Sequence, residues 1–128
     1  MVKAAALLFG VVFLVVGILG YVPAATSDMN GMPMLLGIFH VNSAHNIVHL
    51  ASGIIFLLCG LSGAGASQLF FRIFGLVYAL VAVLGFVKPE GPLLGLISNN
   101  VADTWLHVGL ATAMLIIGFT LPANKASA

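Results

Sequence analysis

Asn42-Ser43-Ala44-His45-Asn46-Ile47-Val48-His49 returns 58 residues later as Asn100-Val101-Ala102-Asp103-Thr104-Trp105-Leu106-His107, and each version opens a long apolar run. Asparagine is a good helix N-cap, so both phrases read as helix starts. His45 and His49 stand four residues apart, as do Asp103 and His107. On a helix each pair shares one face, one turn or about 6 Å apart. The two copies therefore put ionisable groups at matched positions of two different helices.

Outward from these phrases the repetition continues. Leu35-Leu36-Gly37 matches Leu93-Leu94-Gly95 at the same offset. Upstream the offset becomes 65: Phe9-Gly10 matches Phe74-Gly75, and Leu19-Gly20 matches Leu84-Gly85. Seven of the fourteen positions from 9 to 22 are identical across that offset. The change of offset means that the loop before the second phrase is seven residues shorter. Each unit holds two apolar runs, so both units enter a membrane in the same direction.

Composition requires the membrane. The chain has 128 residues, 62% hydrophobic and 5% charged, with a mean hydropathy of +1.23. A soluble domain carries about 25% charged residues. Four runs, at about 3–22, 43–62, 68–87 and 101–121, each approach the ~20 apolar residues that a span needs. None of the formal charges falls at a span centre, where a charge costs several kcal/mol. The fold class expected is all-α: a polytopic membrane protein of four transmembrane helices. It is built as two tandem helix pairs, about 1–62 and 68–121, in one domain over 1–128, with a pseudo-twofold axis along the membrane normal.

The first run is not read as a cleaved leader. Residues 4–22 are uncharged for longer than the ~7–15 residues of a signal-peptide core, and the run has an internal counterpart. Lys3, Arg72 and Lys125 lie on the side of the termini and Lys88, near Glu90, on the other. That balance expects both termini in the cytoplasm of a bacterial plasma membrane, with the histidines toward the outer face. A net charge of +1 gives no reason to expect nucleic acid. The expected surroundings are the lipid bilayer, with a homo-oligomer or a larger membrane complex open. Cys59 is the single cysteine, allows no internal disulfide, and reads as a small buried hydrophobe.

Residues 63–67, Gly-Ala-Gly-Ala-Ser, read as a flexible link between the units. The outer loops carry short apolar runs, Met34 to Phe39 and Leu93 to Ile97, too short to span. They read as interfacial turns or half-helices. Interrupted apolar segments at corresponding places in two repeats point to a binding site between them; loops lying among headgroups are the plainer alternative.

Three readings of the polar cluster stay open. In the first, spans 2 and 4 face each other, and His45, His49, Asp103 and His107 bind a transition metal: zinc, or iron, copper or manganese with added water. Asn46 and Thr104 would then orient the ligands, with His40 a further donor from the loop. In the second, His49 and His107 are the axial ligands of a b-type haem. Ala51, Ser52, Gly53, Gly109 and Ala111 would make room for it. In the third, the histidines are structural, Asp103 serves as the capping partner of Asn100, and the chain is an accessory or scaffold subunit. No motif specifies a reaction, so enzymatic activity is undetermined.

From Phe39-His40-Val41-Asn42 through His49, and again from Asn100 to His107, the chain resembles a family of bacterial four-span membrane proteins catalogued as a domain of unknown function. The positions that carry the resemblance are His45, Asn46, His49, Asp103 and His107. It implies the four-span fold and a bacterial membrane and brings no activity. A weaker likeness, in span count and general character, is to the DoxX-like membrane proteins.

Overall fold

A long apolar run in lipid must pair its backbone polar groups within the chain, and a helix does this run by run. The computed structural model describes residues 1–29, 32–89, 92–95 and 97–123. It has four helices: α1 (Val2–Leu19), α2 (Ser43–Ser62), α3 (Ala64–Val87) and α4 (Val101–Thr120). All four are long and apolar enough to cross a membrane. α1 packs on α2 and α3 on α4, and the two pairs meet mainly through α2–α3 and α1–α3.

Lipid offers no hydrophobic drive for helices to associate, so close packing through small residues has to supply it. The glycines show how the duplication is built. A Cβ on Gly10 would stand 2.7 Å from Leu57 of α2, and one on Gly75 would stand 2.8 Å from Leu115 of α4. Gly60 lies equally close to Leu7, and Gly118 to Arg72. A Cβ on Gly20 would collide with the Asn46 amide, and one on Gly85 with the Thr104 hydroxyl. In each case the second contact is the first displaced by 65 residues on one helix and 58 on the other. The two offsets seen in the sequence are thus two packed helix pairs of the same design, related by the pseudo-twofold.

Between the pairs, toward the end that carries the termini, the core is aromatic. The Phe9, Phe56, Phe70, Phe71 and Phe74 rings stack and tilt with centroids 4.7–5.8 Å apart, with Met114 fully buried among the core residues. Outward-facing positions such as Leu8, Val15, Leu58, Leu76 and Phe119 are exposed and apolar. That surface suits acyl chains and would be an aggregation hazard in water.

Boundaries differ from expectation where local chemistry intervenes. α1 stops at Leu19, three residues early, in a turn through Tyr21, whose hydroxyl bonds Ser43 Oγ at 3.0 Å and ties the end of α1 to the start of α2. The expected link over 63–67 is helical from Ala64 onward. Gly63 alone makes the joint, at φ 149°. Ser67 Oγ donates to Gly63 O at 2.8 Å and Cys59 O at 3.0 Å, holding the two helix ends together. At the same end Arg72 Nε donates to Gly118 O at 2.7 Å and Gln68 Nε2 to Leu121 O at 3.0 Å, satisfying the last carbonyls of α4.

The outer loops are turns, not half-helices. The first forms a three-stranded antiparallel sheet of β1 (Thr26–Met29), β2 (Met32–Leu35) and β3 (Phe39–His40). Thr26 stands opposite Leu35, and Leu35 opposite Phe39. Leu36 and Gly37 both have positive φ, 55° and 71°, the pattern of a tight hairpin turn. The shorter second loop repeats it: Leu94 at 55°, Gly95 at 72°, with Leu93 bridged to Ile97.

Candidate functional site

The site begins with the two helix caps. Asn42 Oδ1 accepts from His45 N at 2.8 Å, and Asn100 Oδ1 accepts from Asp103 N at 2.8 Å. At α4 the box closes, because Asn100 N donates back to Asp103 Oδ2 at 3.0 Å. An imidazole cannot return that bond as a carboxylate does, so the third position differs in role between the units. Asn100 also reaches the first loop, its Nδ2 donating to Ile38 O at 3.0 Å. The cap of α4 thereby fastens the longer loop over the end of the bundle.

One turn deeper, His49 lies against Phe13 of α1 with ring centroids 5.1 Å apart, and His107 against Tyr78 of α3 at 5.4 Å. Phe13 and Tyr78 are themselves a matched pair, 65 residues apart, and their centroids are 5.9 Å apart. They form an aromatic floor at the seam of the units, with one imidazole above each half. Reading the phrases alone missed both residues. The signal was available in the 65-residue offset, which aligns an aromatic ring in span 1 with one in span 3.

All four expected residues are buried, but α2 and α4, expected to face each other, are not among the helix pairs in substantial contact. Asp103 is fully buried, and His45, His49 and His107 are 3–4% exposed. The His45 and His49 rings are 4.7 Å apart. A cavity of about 40 Å³ is lined by His45, His49, Tyr78 and His107, together with Val48, Val81 and Ile97. A second, of about 180 Å³, is lined by His45, His49, Asp103 and Leu106, by Val16 and Leu19 of α1, and by Leu35, Leu36 and Phe39 of the first loop. Nδ1 of His49 and Nδ1 of His107 are buried with no hydrogen-bond partner in the protein. Buried polar groups normally have one.

Other expectations fare differently. Among the described residues, no three His, Cys, Asp or Glu side chains stand in an arrangement that could hold a metal ion. Thr104, expected to orient a ligand, instead donates to Asn100 O at 3.2 Å and accepts from Asn99 Nδ2 at 3.1 Å, while it packs on Gly85. Asn46 packs on Gly20 in the same way. Gly53, expected to leave room for a macrocycle, receives α1 instead: a Cβ there would stand 2.8 Å from Leu14 and 2.9 Å from Gly10 O. Gly109 has nothing within 4 Å and faces away from the helix neighbours. The His40 side chain and Glu90 fall outside the described residues.

The chemistry open to this site is that of a small buried centre with imidazole donors, one carboxylate and aromatic walls. The aromatic core fills the seam toward the termini. No curated protein and no solved structure matches the chain. A family model described as "Domain of unknown function (DUF4383)" matches residues 3–120. Since that match takes in all four helices and both loops of the site, the chain belongs to the DUF4383 family.

Proposed function

We propose that the loop end of the bundle binds a single transition-metal ion at the seam between the two units. His49 and His107 are its principal donors, His45 the third, and Asp103 an acidic neighbour. The observation that carries this reading is the 40 Å³ cavity ringed by three imidazoles, with Nδ1 of His49 and His107 buried and unpartnered. Its volume suits an ion with about one water, whose share of liquid is ≈ 30 Å³. Imidazole donors suit zinc, copper and iron. Metal–nitrogen bonds are about 2.0–2.1 Å, so binding draws the three rings inward from their present positions. The alternative, a b-type haem with His49 and His107 as axial ligands, is the less favoured reading, since the helices would have to part much further to admit it. Cofactor pockets run to roughly 300–1,000 Å³, and the space that the two rings share is far smaller.

The setting proposed is a bacterial plasma membrane with both termini cytoplasmic and the site toward the outer face, as Lys3 and Arg72 against Lys88 suggest. The partners are bilayer lipid and, in a larger assembly, further membrane subunits.

The test is elemental analysis of the protein purified in mild detergent, before and after incubation with zinc and copper. About one ion per chain is expected, lost in both His49→Ala and His107→Ala variants that keep their helical circular dichroism. A wild-type chain that retains no ion under either condition, or unchanged content in both variants, refutes the proposal.

A further inference from the structure

The larger cavity is a different kind of space from the smaller one. At about 180 Å³ it slightly exceeds an apolar cavity of ~150 Å³ known to take benzene. Six of its nine lining residues are apolar and come from three places: Val16 and Leu19 on α1, Leu106 on α4, and Leu35, Leu36 and Phe39 on the first loop. The other three, His45, His49 and Asp103, form a polar wall. The wall is well fixed, since Asp103 Oδ2 is held by Asn100 N and the His45 backbone by Asn42. The roof is fixed too, because Asn100 Nδ2 holds Ile38 O between Leu36 and Phe39. The roof residues Leu35, Leu36 and Phe39 correspond in sequence to Leu93, Leu94 and Ile97 of the second loop.

We propose that this cavity binds a molecule consisting of one six-membered ring with a neutral hydrogen-bonding substituent, a phenol being the simplest case. The apolar side chains take the ring, and the wall takes the hydroxyl. His49, whose Nδ1 is buried with no hydrogen-bond partner in the protein, is the acceptor that the wall offers to that hydroxyl. A ring acid such as benzoate is excluded, because burying its charged head in this largely apolar space costs far more than burying a neutral hydroxyl. An unsubstituted ring such as toluene fills the volume and leaves His49 Nδ1 unmatched, and a buried polar group left without its partner costs affinity. The inference shares His45 and His49 with the metal proposal and does not depend on a metal being bound.

The experiment uses the full chain in detergent, stripped of metal with a chelator, and follows phenol, toluene and benzoate binding by ligand-observed NMR. Phenol is expected to bind more tightly than either comparator. Val16→Phe fills the space from α1 without altering the imidazoles and is expected to weaken phenol by about tenfold or more. Leu106→Phe fills it from α4 and serves if the first variant fails to fold. Metal content measured on the same variants should match wild type, which separates failure here from failure of the metal site. Equal phenol binding in wild type and a folded filled variant overturns the site. Benzoate or toluene binding as well as phenol overturns the role given to the polar wall.

Discussion

Replacing Gly85 with alanine should both weaken the fold and disturb the site. Gly85 lies in α3 against Thr104 in the first turn of α4, and an added Cβ would collide with the Thr104 hydroxyl. Overpacking a tight contact costs about 1–3 kcal/mol. Thr104 cannot retreat freely, because it accepts from Asn99 Nδ2 and donates to Asn100 O. Moving it sacrifices at least one of these bonds, about 1 kcal/mol. Alanine returns about 1 kcal/mol through helix propensity. The net expectation is a loss of about 1–3 kcal/mol. The control is Gly109→Ala in α4, where the added Cβ meets nothing within 4 Å. It should be neutral or stabilising by up to about 1 kcal/mol. Reversible unfolding in mixed micelles titrated with SDS measures both. Because Thr104 precedes His107 by one turn, Gly85→Ala should also lower metal retention while Gly109→Ala leaves it intact. Equal stability of the two variants would refute the packing argument.

Two further substitutions test the loop end. Asp103→Asn keeps an acceptor for Asn100 N and removes the charge. Stability in the same SDS titration should change by less than about 1 kcal/mol, and a larger loss would refute the reading of Asp103 Oδ2 as a capping acceptor that an amide oxygen can replace. Leu94 sits at φ 55° and is largely exposed, a conformation costing a bulky residue about 1–2 kcal/mol. Leu94→Asn should therefore raise the thermal midpoint, measured by circular dichroism, and an unchanged or lower midpoint would mean that the leucine side chain contributes contacts that outweigh the strain.

The spans were legible because lipid imposes a length and a composition that no soluble fold shares. The repeat was legible because helix contacts in lipid need glycine at fixed places, so Gly10, Gly20, Gly75 and Gly85 recur with their spacing intact. What the sequence concealed was direction. Periodicity places Thr104 and Asn46 one residue from the site, but only the packing shows them turned toward Gly85 and Gly20 in their own helix pairs. Gly53 read as spare room, although small residues in lipid more often admit a neighbouring backbone, and here that neighbour is α1. The Ala64–Ser67 segment read as a link because glycine and serine favour turns. Its helix forms since Gly63 alone absorbs the reversal and Ser67 returns its hydroxyl to Gly63 O.

The two units have kept several of their packing contacts and changed others. Gly10 and Gly75, Gly20 and Gly85, and Gly60 and Gly118 are unchanged, as are His49 and His107. Differences occur within the pairs, at Gly17 against Ala82, Gly53 against Ala111 and Asn46 against Thr104, and at the seam of the units, at His45 against Asp103 and Phe13 against Tyr78. A purely structural hydrogen bond, duplicated with the fold, would have no reason to diverge at the position that caps one helix and lines a cavity in both. The divergence makes the two cavities chemically unlike, one ringed by imidazoles and a phenol ring, the other walled by a carboxylate and roofed by the longer loop. A symmetric scaffold needs neither distinction.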